Sequence, residues 1–198
     1  MKRRYLQLIL LLITSFPMWA LPALDNGSLN EGSLNAVKIT FLSWASGSAK
    51  VSYERAIPAW NQSAELCAGY IGAGRDKYHN HPNGATVRYG HKFYLSPREN
   101  HPLDGFYLRP ECIWSHYFYD SSREPESRTL ADMTALIATA GVQWSWGHFI
   151  LDGWFGGGPA WGTPSDTFYH HGFDLWHFLG SSNDHIAMSF SIRIGYCF

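Results

Sequence analysis

The sequence predicts an all-β protein, an eight-stranded antiparallel up-and-down transmembrane β-barrel, and three observations carry that expectation. Apolar residues recur with period two through most of the chain after residue 35, which lines them up on one face of a strand but would scatter them around a helix. Charged residues make up 16% of the chain and aromatic residues another 16%, against an average charged content of about 25%. Something other than water must therefore accept part of the surface. The chain also ends on its clearest alternation, which runs out at Phe198.

The N-terminus stands apart from this pattern. Lys2, Arg3 and Arg4 precede an apolar run over 6–16, and polarity returns at Asp25, Asn26 and Ser28. That run is short for a helix crossing about 30 Å of hydrocarbon and has no stop-transfer pattern behind it. It reads as a secretory signal over 1–23, cleaved after Ala20 or Ala23, with an uncleaved anchor helix as the weaker alternative. A short segment over 24–34 then leads into a barrel domain over 35–198. Loss of Lys2, Arg3 and Arg4 takes the formal net charge from -1 to -4. A mildly acidic chain lacks the concentrated basic surface that nucleic acid requires. Cys67, Cys112 and Cys197 are far apart, odd in number and without a Cys-x-x-Cys pair. They are expected as small strand residues, with at most one bridge among them.

The strands follow in order. Shorter alternations predict strands over 37–42, 49–56 and 65–71. Over 87–95, Val87, Tyr89, His91, Phe93 and Leu95 face away from Arg88, Gly90, Lys92 and Tyr94. Over 106–118, Phe106, Leu108, Pro110, Cys112, Trp114, His116 and Phe118 oppose Tyr107, Arg109, Glu111, Ile113, Ser115 and Tyr117. Pro110 lacks a ladder donor, so a bulge is expected there. Strands over 137–144 and 149–156 come next. In the last, Ile186, Met188, Phe190, Ile192, Ile194, Tyr196 and Phe198 share one face against Ala187, Ser189, Ser191, Arg193, Gly195 and Cys197. The connections over 43–48, 72–84, 120–128 and 159–185 are mostly longer than those over 57–63, 96–105 and 145–147. This matches the long-external, short-periplasmic asymmetry of outer-membrane barrels, although 96–105 is long for a turn.

Alternation alone also describes a secreted lipocalin-like barrel whose apolar face surrounds a ligand. The polar face bears on the choice. It carries Lys38, Glu54, Glu65, Arg88, Lys92, Arg109, Glu111, Asp152 and Arg193, a near-neutral set suited to pairing inside a narrow barrel, where isolated charges cost several kcal/mol. Trp44, Trp60, Tyr70, Tyr94, Trp114, Tyr119, Trp144, Trp146 and Phe198 fall near predicted strand ends, the level at which amphipathic rings meet lipid headgroups.

The ending Ile192-Arg193-Ile194-Gly195-Tyr196-Cys197-Phe198 resembles the assembly signal of outer-membrane barrels, with Ile194, Tyr196 and Phe198 as its apolar positions. Arg193 stands where that signal often has Gly. Leu34-Asn35-Ala36-Val37-Lys38, Val51-Ser52-Tyr53-Glu54-Arg55-Ala56 and Gly105-Phe106-Tyr107-Leu108-Arg109-Pro110 resemble a family of small Bacteroidetes barrels carried as domain of unknown function 3575. The likeness implies an OmpA- or OmpX-like fold in the outer membrane after Sec-type export, and no settled activity.

Chemistry is sparse. His79 and His81 share one loop, and His170, His171 and His177 another, but their spacing matches no zinc motif. Ser115 and His116 are strand neighbours and so point to opposite faces. No Gly-x-Ser-x-Gly elbow occurs, and Gly156-Gly157-Gly158 lacks the continuation of a phosphate loop. The expectation is no catalytic residue, no metal and no cofactor, with a lipid-modifying enzyme as the remote alternative. The expected partners are outer-membrane lipids and lipopolysaccharide, the barrel-assembly machinery and periplasmic chaperones during biogenesis, and a cell-surface protein met through the loops.

Overall fold

The computed structural model describes residues 33–76, 79–97, 101–120, 128–163 and 186–198. The expected signal over 1–23 lies outside them, as do His170, His171 and His177. Eight antiparallel strands close into a barrel in which each strand pairs with its neighbours in sequence and β8 pairs with β1. They are β1 (Asn35–Thr40), β2 (Ser48–Ile57), β3 (Gln62–Ile71), β4 (Asn83–Tyr94), β5 (Gly105–Asp120), β6 (Arg128–Trp146), β7 (Phe149–Gly162) and β8 (Ile186–Cys197). Asn35, Phe198 and the turns after β2, β4 and β6 define what is called here the lower end.

Following the paired row from Cys197 through Ala36, Glu54, Glu65, Gly90, Glu111 and Ile137, and carrying the unchanged β6–β7 offset across to Gly158, returns to β8 at Ala187, ten residues away (197 to 187). Such a stagger accompanies strands tilted by about 35 to 45°, and eight strands leave a bore that side chains can fill.

Several strands run longer than expected, β3 from Gln62, β4 from Asn83 and β7 to Gly162, and three further departures have a local cause. Phe41 and Leu42 leave β1 for a 3-10 turn over Phe41–Ser46. There Ser43 Oγ donates to Thr40 O at 2.7 Å and Ser46 Oγ to Ser43 O at 2.8 Å, so hydroxyls compete for carbonyls the ladder would use. Gly47, at φ 73°, ends the turn in the left-handed region. β6 begins at Arg128, not at 137. Its upper half turns Asp132 and Thr134 outward and Ala131, Met133 and Ala135 inward, so the apolar contrast that marks the other strands is missing. Pro110 causes no bulge. The β4–β5 offset is the same at Gly90↔Glu111 and Phe93↔Leu108, and only the pairing between them lapses. Pro159 does the same to β6–β7, between Ala135↔Ala160 and Ala138↔Gly157. A missing donor costs ladder bonds without inserting a residue.

Strand parity follows the alternation. Tyr70, Trp144, Trp146 and Phe198 are exposed at strand ends, and Trp44 and Trp60 are exposed in the 3-10 turns over Phe41–Ser46 and Pro58–Trp60. Tyr94 and Tyr119 are corrections to the aromatic set, because both are buried and inward, and Trp114 sits within β5 and not at its end. The three cysteines are free, Cys67 and Cys197 buried and Cys112 half-buried.

A charged core in the lower lumen

The inward face of the lower half holds a cluster of charged side chains drawn from seven strands. All nine residues of the expected interior set are buried. Lys38 of β1 lies at its centre, with Nζ 2.5 Å from Glu54 Oε2 and 2.9 Å from Asp152 Oδ2, and it also bonds Glu65 Oε2. Lys92 reaches the same acids from β4, at 2.8 Å from Asp152, 3.2 Å from Glu54 and 3.6 Å from Glu65. Two ammonium groups thus share three carboxylates. Those carboxylates offer oxygens all within 4.8 Å of one another, the spacing of a metal cage, but both ammonium groups bond directly into the set, and Arg109 and Arg193 pair with Glu65, so the charge of the set is already compensated.

A second tier is built from guanidinium groups. Arg109 bonds Glu65 and Glu111, each at 3.1 Å, and Thr139 at 3.2 Å. Arg193 pairs with Glu65 and donates to Thr40 Oγ1 at 3.2 Å. Arg88 approaches Glu111 at 3.6 Å. Trp154 lies beneath both of the first two, 4.8 Å from Arg109 and 4.2 Å from Arg193, which adds cation–π attraction in a site sheltered from water.

Neutral groups complete the shell. Tyr107 donates to Asp152 at 2.5 Å and Tyr94 to Glu54 at 3.1 Å, and Ser63 also donates to Glu54. Gln143 Oε1 accepts from Lys92 at 2.6 Å and from Lys38 at 3.3 Å. Inward glycines make room for this crowd: a Cβ on Gly195 would collide with Lys38, on Gly90 with Arg109, and on Gly141 with Tyr107. Tilt explains the convergence, because stagger brings residues far apart in sequence to one height in the bore.

Sequence reasoning missed Lys50, Gln143, Trp154 and the polar roles of Tyr94 and Tyr107. Lys50 had a readable signal, since it shares parity with Glu54 on β2. Gln143 and Trp154 had none beyond strand parity, being uncharged residues whose partners come from across the bore.

The other candidates separate. Ser115 Oγ donates inward to Thr86 Oγ1 at 2.9 Å, whereas His116 points outward, 3.3 Å from Asp132, so the two form no nucleophile–base pair. His81 lies 2.9 Å from Asp120 in an exposed contact at the upper end. At the lower end, Ile194 pairs with Ile39 and Leu151, and Tyr196 with Val37 and Phe149. Phe198 exchanges backbone bonds with Asn35 at 2.8 and 3.0 Å. Comparisons with family models, curated proteins and solved structures found no match to this chain.

Proposed function

We propose that this chain is a small integral outer-membrane β-barrel with a structural or surface-interaction role, and that it is not a general pore. One observation carries the reading, which is inverted polarity. Val37, Ile39, Val51, Leu66, Leu136 and Phe155 are exposed on the outer wall, while Lys38, Lys92, Arg109, Arg193, Glu65 and Asp152 are buried within. A barrel in water would gain by the opposite arrangement, because apolar surface is driven from water and buried charge is costly. In lipid the same arrangement is favourable, with backbone groups satisfied by closure and the outer wall solvated by acyl chains.

A soluble ligand carrier would need an apolar cavity, and the lower lumen is instead filled by ion pairs. The same filling favours a barrel closed to ions, since wide aqueous channels belong to rings of about sixteen strands. On this reading, lipid and lipopolysaccharide surround the wall. Ile194, Tyr196 and Phe198 present the last strand to the assembly machinery after Sec-type export, and the upper loops meet any surface partner.

Fractionation tests the proposal. The full chain expressed with its own N-terminus should stay in the outer membrane after carbonate washing, migrate heat-modifiably and show no stable conductance in a planar bilayer. Release as soluble periplasmic protein, or reproducible large channels from single chains, would overturn it.

A further inference from the structure

The turn between β4 and β5 is longer than a lower-end connection needs, and its last residues fold back into the bore. Leu103 is only 2% exposed and packs with Ala36, Ala56, Ile150 and Cys197. These belong to β1, β2, β7 and β8, the four strands around the β1–β8 seam, whereas the turn itself springs from the opposite wall. Its anchors are specific. Gln143 Nε2 donates to Leu103 O at 2.8 Å, and Ser145 donates to Asp104 Oδ2 from its backbone N–H at 2.8 Å and its hydroxyl at 3.0 Å. Gly105, at φ 131° and with Ser96 O where a Cβ would stand, lets the chain leave this position and enter β5.

We infer that the His101–Asp104 end of this turn is an internal strap that seals the lower mouth and holds the β1–β8 seam shut. The seam is short, paired from Ala36↔Cys197 to Thr40↔Arg193 and matched in its brevity only by β1–β2, while β5–β6 runs from Gly105↔Gln143 to Asp120↔Arg128. The seat for Leu103 exists only when the first and last strands lie side by side, so the strap docks after closure and resists reopening. Gln143 joins the strap to the charged core, since its other end accepts from Lys92 and Lys38. The inference concerns the barrel itself and stands apart from the membrane reading.

The native thiols supply the test. Cys197 belongs to the same buried cluster as Leu103, Cys67 lies higher in the bore and Cys112 lies on the outer wall. In the folded, heat-modifiable full chain, Leu103→Ala should raise labelling of Cys197 by a water-soluble maleimide about tenfold or more, with Cys67 unchanged, as local opening requires. Unchanged Cys197 labelling in folded Leu103→Ala would overturn the strap, and so would an equal rise at Cys67, which would mean general loosening. Because Leu103→Ala could also unfold, Leu103→Cys in a Cys67→Ala, Cys112→Ala chain gives a second reading. Dibromobimane should join residue 103 to Cys197 in the folded band, and a folded band without that link would equally overturn the inference.

Discussion

On β8, Arg193 is enclosed by Glu65, Thr40 and the face of Trp154, while Ile192 beside it is exposed on the outer wall. The lower lumen and the outer wall alternate in this way around the whole barrel. In the lower lumen the charged side chains answer to particular partners, and removal of one leaves a charge stranded. Outside, side chains answer mainly to the character of the solvent, so on the proposed reading apolar exchanges should be tolerated and a charge near the bilayer midplane should not. The difference teaches that specificity is concentrated in the bore, and that on the proposed reading the wall asks only for apolar character.

The comparison is most exposed to failure at Glu65, which meets Lys38, Lys92, Arg109 and Arg193. Glu65→Ala should destabilise the barrel by about 3 to 5 kcal/mol, the cost of breaking a buried ion pair from one side. Urea unfolding of refolded protein would measure it, and a loss under about 1 kcal/mol would remove the special status given to the core.

The wall is tested next. Ile192→Arg should cost about 2 to 4 kcal/mol if the position lies near the bilayer midplane, with less toward an interface. Equal folding of both chains in lipid vesicles would mean that Ile192 does not face hydrocarbon.

Glu111 should give a smaller loss than Glu65, about 1 to 3 kcal/mol on replacement by Ala, because Arg109 keeps Glu65 and Thr139 as partners. A larger loss than at Glu65, in the same urea series, would relocate the centre of the core from Lys38 to the upper tier. Smallest of all should be His81→Ala, where an exposed contact with Asp120 contributes under about 1 kcal/mol. A greater effect on thermal stability would tie the upper loops to the barrel more tightly than their exposure implies.

Strand parity was legible because period two survives wherever one face is apolar. Arg88, Lys92, Arg109 and Arg193 could be assigned to the inner face from their neighbours alone. Their partners could not be assigned, because a contact such as Arg193 to Glu65 depends on the stagger with which the sheet closes. The upper half of β6 was illegible for a different reason, since Asp132 and Thr134 face out and Ala131 and Ala135 face in. Leu103 shows a further limit. In the sequence it is one apolar residue in a polar turn, and only the closed barrel supplies the seat that makes it a core residue.

On the proposed reading the outer wall meets lipid while the inner face does not, and a nitroxide scan of β6 in lipid vesicles tests this most directly. Labels at positions 136, 138, 140 and 142, which face outward, should be relaxed by oxygen dissolved in the bilayer. Labels at 135, 137 and 139, which are buried inside, should be shielded from both oxygen and a water-soluble nickel chelate. Strong relaxation by the nickel chelate at the outward positions would show them facing water and would contradict the account.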